Sequence, residues 1–145
     1  MITVLLHYDG TTLTKVLEGD DFVEDYHDGI NGRIRGVYTD DPDSLWVVTQ
    51  AGLYRCSKDT QGECFWYGET SDPTSELEVV SGNSHNDFYY AGHFTRMWHY
   101  NGSTFQGYQF PDMGTIYGIS ATFEIMVAVG IIYDTWQGFV IRGYR

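Results

Sequence analysis

An internal repeat is the feature that most restricts how this chain folds. The same pattern, an apolar strand, a polar turn and an aromatic-rich strand, recurs along the sequence, which indicates tandem structural units. Tyr8, Cys56 and Tyr100 take matching places in it, so that one unit averages about 46 residues. The copies are LLHYDGTTLTKVLE (5–18), the divergent LYRCSKDTQGECFWYGE (53–69), MWHYNGSTFQGYQF (97–110) and a closing IIYDTWQGFVIRGYR (131–145).

Each unit contains four short strands, which we name A to D. Two further strand-like runs precede each later hairpin, and Gly, Asn, Asp and Ser turns separate them. Asp9-Gly10 and Asn101-Gly102 predict two-residue type I′ turns, or close relatives, between strands C and D. Only residues 20–30 suit a helix, with an ordered loop as the alternative. We therefore predict an all-β fold of four-stranded antiparallel repeats, forming a single domain over 1–145.

The hairpin motif resembles a known repeat family. Leu6 to Leu13 and Trp98 to Phe105 are similar to the degenerate β-propeller repeats of bacteria, whose third and fourth strands read apolar-apolar-His-Tyr-Asp-Gly-x-x-Trp. The resemblance covers nearly the whole chain except 19–34. It implies a propeller-like arrangement of strands and says almost nothing about function, because propellers serve as hydrolases, lectins and scaffolds alike.

The strand count predicts an incomplete ring. Fourteen expected strands make about three and a half four-stranded blades, whereas propellers close with 4 to 8 blades. An open arc exposes strand edges and apolar blade faces, which favour association. Either the chain is a fragment of a longer propeller or copies assemble until the ring closes. We favour a homodimer, or a higher oligomer, with a barrel or sandwich monomer as the alternative.

Charge limits the classes of partner. Twenty acidic residues against eight Lys and Arg give a formal net charge of −12. Because most of such a surface repels phosphate, we expect neither nucleic acid nor an anionic membrane as a partner. The apolar runs are too short to cross a bilayer, and the first residues lack the features of a signal peptide. The localisation stays open between the cytoplasm and, for a fragment, a secreted setting.

An acidic connection follows the first hairpin. Calcium takes six to eight oxygen ligands, which clustered loop carboxylates supply, although the spacing here does not fit an EF-hand. One hypothesis is a calcium ion held by Asp25 and Asp28, and the other is a solvated acidic loop. No zinc-ligand spacing occurs among the five histidines, so that we expect no other cofactor.

Candidate ligand-binding residues lie near one rim of the implied propeller. His93 falls in the turn from strand B to strand C, and such turns form a channel rim in propellers. Exposed tyrosines near strands A and B are candidates to line a groove, and two arginines before an inner strand are candidates to bind an anion or to pair with acids. These residues are His93, Tyr38, Tyr89, Tyr117, Arg33 and Arg35.

Two cysteines flank a predicted hairpin loop. Cys56 and Cys64 lie on facing strands if the intervening SKDTQGE segment is that loop, and opposed strand residues come within disulfide reach. A disulfide indicates a secreted or periplasmic setting, and two buried thiols are the alternative.

The pattern favours a non-catalytic binding or interaction module. The sequence has no GxSxG nucleophile motif, no Cys–His pairing and no phosphate-binding glycine loop. We expect a carbohydrate or a protein as the partner of an aromatic and acidic rim. The alternatives are a glycoside-processing enzyme, hydrolase or lyase, that uses channel Asp and Glu residues, and a structural fragment of a larger propeller.

Overall fold

Strands account for every regular element of the described chain. The computed structural model describes residues 2–20, 30–58, 63–67, 76–111 and 113–144. Within those ranges it contains fourteen β-strands and no helix, while the helix-or-loop alternative for 20–30 falls almost entirely outside them. In chain order the strands are β1 Ile2–Tyr8, β2 Leu13–Asp20, β3 Ile30–Asn31, β4 Ile34–Tyr38, β5 Ser44–Thr49, β6 Gly52–Ser57, β7 Cys64–Trp66, β8 Leu77–Ser84, β9 Asp87–Gly92, β10 Arg96–Tyr100, β11 Phe105–Gln109, β12 Gly114–Ala121, β13 Ile125–Ile132 and β14 Gly138–Tyr144.

Four sheets follow one another along the chain, each made of strands that are consecutive in sequence. Sheet I contains β1, β2 and β3, sheet II contains β4 to β7, sheet III contains β8 to β11, and sheet IV contains β12 to β14. Sheets II and III are four-stranded antiparallel meanders. This confirms the prediction of an all-β chain with four-stranded antiparallel units.

The two end sheets depart from the predicted unit. The expectation that 131–145 forms its own hairpin is wrong, because Ile131 and Ile132 complete the eight-residue strand β13. The apolar run 125–132 is interrupted only by Gly130, which stays in the ladder opposite Phe139, so the chain first turns after it. Sheet IV therefore has three strands, and sheet I has a hairpin plus the short parallel strand β3.

The sheets stack face to face through their first strands. Strand β8 contacts both β4 and β12, which places the first strands of sheets II, III and IV side by side. The second strands, β5 and β9, are buried on both faces, which explains why SLWVVT and DFYYAG are nearly continuous apolar runs. Alternate residues of each strand then point into the layers on either side.

Aromatic rings fill the layer between sheets II and III. Phe88 is fully buried there, with its ring centroid 4.6 Å from that of Trp46 and 5.2 Å from that of Tyr100. Tyr38 packs at the edge of the same layer, where burial, followed by the nearby carboxylates of Asp40 and Asp87, raises the pKa of its hydroxyl to about 12. Such offset and tilted ring pairs add stability beyond the area they bury.

Smaller apolar layers lie on either side. Leu17 and Ile30 of sheet I pack against Val47 of sheet II, and Ile116 of sheet IV packs against Ala91 of sheet III. Not every tryptophan joins these layers. Trp46 is buried, whereas Trp66 and Trp136 are exposed.

The Asp-Gly and Asn-Gly turns have four residues rather than two. Tyr8 pairs with Leu13, and Tyr100 pairs with Phe105, so four residues connect the strands in both hairpins. The Asp9 carboxylate accepts hydrogen bonds from the backbone N–H groups of Thr11 and Thr12. The Asn101 amide oxygen accepts the equivalent bonds from Ser103 and Thr104 in its own hairpin. The side chain thus closes the turn, and only the glycine that follows adopts a positive φ.

Both ends of the stack present apolar side chains to solvent. The first terminal face, on the side of sheet I away from sheet II, carries Val4, Leu6, Tyr8 and Leu13. The last terminal face, on the side of sheet IV away from sheet III, carries Val129, Val140 and Tyr144. Leu6 is 52% exposed and Val140 is 69% exposed, although both lie in the middle of strands.

Candidate functional site

Equivalent positions of three sheets line up along one rim of the stack. The residue that follows the second strand donates its backbone N–H to the carbonyl of the residue just before the first strand. This bond joins Gln50 to Arg33 at 3.3 Å in sheet II, His93 to Glu76 at 3.0 Å in sheet III, and Tyr133 to Met113 at 3.0 Å in sheet IV. Because the first strands lie side by side, these positions come together at the same rim.

Two β-bulges direct further polar side chains to this rim. The register of β4 against β5 shifts at Arg35, and that of β8 against β9 shifts at Glu78. Each residue has no directly opposed partner, and each is the second residue of its strand. A bulge re-aims one side chain of a strand, and bulges are frequent beside functional sites.

These residues form one connected group, which we call the rim cluster: Arg35, Gln50, Glu76, Glu78, His93, Thr115 and Tyr133. His93 lies at its centre, with its Nε2 atom 3.3 Å from Glu78 Oε1 and 3.6 Å from Glu76 Oε2. Each carboxylate is also held from sheet II, because Arg35 Nε lies 3.8 Å from Glu78 Oε2 and Gln50 Nε2 donates to Glu76 Oε2 at 3.3 Å.

The opposite side of the His93 ring is held from sheet IV. Tyr133 Oη lies 3.0 Å from His93 Nδ1, and the same hydroxyl lies 2.5 Å from Thr115 Oγ1. Thr115 is fully buried and also forms an isolated β-bridge with His93. Contacts on both nitrogens fix the orientation of the imidazole ring.

The turn that carries His93 has unusual backbone conformations. Phe94 and Thr95, the two residues that follow, have φ values of 58° and 51°. A β-branched or bulky residue is rare in this region and costs free energy, so that the surroundings must impose it. Thr95 is buried, and its N–H donates to the carbonyl of Gly114 at 2.9 Å. Sheet IV therefore holds the tight turn that places His93 at the rim.

The rim cluster offers two kinds of metal-ligating atom, carboxylate oxygen and imidazole nitrogen. Among the described residues, Glu76, Glu78 and His93 form a group in which one carboxylate oxygen from each Glu and one imidazole nitrogen all lie within 4.8 Å of one another. The Glu78 side chain is 12% exposed, whereas Glu76 is half exposed and leaves the group open to solvent. Such a set can share a proton or coordinate a cation.

The structure brings two of the six candidate ligand-binding residues into the rim cluster. His93 and Arg35 contact the same carboxylate, and Arg33 lies at the adjoining end of β4. Tyr38 ends β4 and packs in the aromatic layer. The expectation that Tyr89 is exposed is wrong, because alternation along β9 turns it into the layer between sheets III and IV.

In the layer between sheets III and IV, Tyr89 stacks on His99, with ring centroids 4.3 Å apart. Tyr117 is exposed at the bulge of β12.

The calcium hypothesis for Asp25 and Asp28 concerns residues that lie outside the described ranges. Cys56 and Cys64 are directly opposed on β6 and β7, with their Cα atoms 4.0 Å apart, and form a disulfide.

Sequence reasoning missed most of the rim cluster. Glu76, Glu78, Gln50 and Tyr133 are ordinary polar residues at strand ends, and none belongs to a recognised motif. Aligning the repeats on the end of the second strand places Gln50, His93 and Tyr133 in one column. That column was the available signal, because equivalent positions of stacked units meet at one rim.

Neither a scan against models of known families nor a search of curated proteins found a match. Within the described ranges, no helix has the length and apolar character needed to span a membrane.

Proposed function

We propose that this chain is a non-catalytic interaction module, a propeller-like array of sheets that is completed by a second copy of itself. The observation that carries the proposal is the apolar character of both terminal faces. Monomeric proteins rarely leave large contiguous apolar patches in water, and such patches usually mark interaction surfaces. Here they occupy the two positions at which a stack of sheets would continue.

The way in which the sheets already pack indicates that a second copy of the chain covers the terminal faces. Each internal layer joins one face of a sheet to the opposite face of the next sheet along the chain. The last terminal face of one copy can therefore receive the first terminal face of another in the same manner. Two copies joined head to tail at both ends contain eight sheets, within the range of 4 to 8 blades that propellers use.

The side chains of the two faces suit such a contact. Leu6 and Val140 lie near the middle of their faces, and complete burial of a side chain of this kind contributes about 1.5–3 kcal/mol. Charges are few on either face: Lys15 is paired with Glu18 at 2.7 Å, and Arg142 covers the ring of Tyr144 at 4.7 Å. Hydrophobic burial therefore dominates the expected interface.

The mass of the protein in solution tests the proposal. Size exclusion with light scattering should give twice the chain mass of 16.6 kDa for the wild type. Leu6→Glu and Val140→Glu should each shift the protein to the monomer, because they bury an unpaired charge. Phe123→Glu is the matched control, since Phe123 is 74% exposed and lies in the β12–β13 turn rather than in a strand of either terminal face.

Two results oppose the proposal. A wild type that stays monomeric at high concentration means that the terminal faces do not bind each other, as in a fragment of a longer propeller. A dimer that survives both Glu substitutions means that another surface makes the contact. Circular dichroism of each variant shows whether the fold itself is retained.

A further inference from the structure

We infer that Glu76, Glu78 and His93 form a binding site for a divalent transition-metal cation of the zinc type. The three ligating atoms are one carboxylate oxygen from each glutamate and Nε2 of the histidine. Glu76 directly precedes β8, Glu78 lies in β8 and His93 begins the β9–β10 turn, so that one chain supplies the complete protein ligand set. The inference is independent of how copies of the chain associate.

The distances match the coordination geometry. Zinc holds nitrogen and carboxylate oxygen ligands at about 2.0–2.2 Å, and two ligands of a tetrahedron of that size lie about 3.3–3.6 Å apart. His93 Nε2 lies 3.3 Å from Glu78 Oε1 and 3.6 Å from Glu76 Oε2. The two carboxylate oxygens lie within 4.8 Å of each other, and a rotation of the half-exposed Glu76 side chain, at the expense of its hydrogen bond from Gln50, shortens that edge.

Each ligand has a partner that orients it. Metal-bound histidines usually donate their other N–H to a second group, which sets the tautomer and increases the basicity of the ligand. Tyr133 can play this role, because its hydroxyl can accept from Nδ1–H of His93 while it donates to Thr115 Oγ1. Arg35 contacts Oε2 of Glu78, the oxygen that does not face His93.

The donor set selects the class of cation. Calcium and magnesium prefer oxygen ligands throughout, whereas an imidazole with carboxylates suits zinc and its first-row neighbours. Two carboxylates beside one guanidinium leave an excess negative charge when His93 is neutral, and a divalent cation offsets it. The formal charge of −12 further raises the local concentration of cations.

Three protein ligands leave a fourth position for solvent or a small ligand. Structural zinc sites use four protein ligands, and sites with three keep an open position. The half-exposed Glu76 lies on the open side of the cluster. The site is therefore built to present a bound cation at the rim rather than to enclose it.

Calorimetric titration with zinc chloride tests the site. The experiment uses protein without an affinity tag, which is dialysed first against a chelator and then into chelator-free buffer. We expect one zinc ion per chain and no displacement by a large excess of calcium. His93→Ala and Glu76→Gln should each weaken binding by about 100-fold or more, and Tyr133→Phe by about 10-fold.

His85→Ala is the matched control. His85 is also partly exposed and lies 4.0 Å from a single carboxylate, that of Asp40, so its loss should leave zinc binding unchanged. Glu76 is half exposed, which makes Glu76→Gln informative even if His93→Ala fails to fold.

The inference is overturned if the wild type binds no zinc, or if Glu76→Gln and a folded His93→Ala bind it as the wild type does. Repeating the titration on Leu6→Glu separates this result from the proposed self-association. A monomeric variant that binds zinc normally supports the site whatever the outcome for the dimer.

Discussion

Replacing Phe88 with alanine tests the stacked-sheet architecture most severely. The Phe88 side chain is fully buried between sheets II and III, and its ring meets those of Trp46 and Tyr100 at 4.6 and 5.2 Å. Truncating a buried Phe costs about 3–5 kcal/mol, and the ring pairs that are lost favour the upper end of that range. A domain of this size has about 5–15 kcal/mol of stability, so Phe88→Ala removes a large share of it.

Urea titration measures the loss. Tryptophan fluorescence and far-UV circular dichroism should give the same midpoint, and equal protein concentrations keep any self-association comparable between variants. Phe123→Ala is the control, because this exposed ring should change the free energy of unfolding by no more than about 0.5 kcal/mol. A loss below about 1.5 kcal/mol for Phe88→Ala would show that the aromatic layer does not hold sheets II and III together.

Two further predictions concern local features. Hydrogen bonds from the backbone N–H groups of Thr12 and Thr11 lower the pKa of Asp9 from 3.8 to about 2. Because the ionised carboxylate is the form that these bonds stabilise, the first hairpin should keep this contribution to its stability above pH 4 and lose it as the pH falls through about 2. NMR titration of the Asp9 carboxyl measures the midpoint; a value near 3.8 contradicts the prediction, and Asp9→Asn, which copies Asn101, should remove the pH dependence. Replacing Cys56 and Cys64 with serine should lower the free energy of unfolding by about 2–3 kcal/mol, because their disulfide spans a sequence separation of 8. Urea titration of the double variant checks this, and a loss below about 0.5 kcal/mol refutes the contribution.

The repeat in the sequence predicted the class of fold but not its ends. Alternating apolar residues and regular turn signals suffice to predict four-stranded antiparallel units, as sheets II and III show. The final hairpin was misjudged because Gly130 resembles a turn residue, whereas the structure keeps it in β13 opposite Phe139. Pairing with a neighbouring strand decided the matter, and a single sequence does not contain that information.

The site was predictable only in outline. His93 and Arg35 were singled out from their places in the repeat, yet the carboxylate that both of them contact, Glu78, was not. Its position depends on a β-bulge, and a bulge leaves little trace in the pattern of apolar residues. The expectation that Tyr89 is exposed failed for a related reason: β9 is buried on both faces, so that neither side of the strand offers an exposed position.

Cross-linking the two terminal faces tests the central claim of the account most directly. Copies with Leu6→Cys and copies with Val140→Cys are prepared separately, mixed and oxidised. Head-to-tail stacking predicts a disulfide-linked pair of one copy of each kind, in far higher yield than either variant gives alone or than Leu6→Cys gives with Phe123→Cys. Cross-linking of each variant with itself, or equal yields with the Phe123→Cys control, would contradict the stacking of sheet IV of one copy on sheet I of the next.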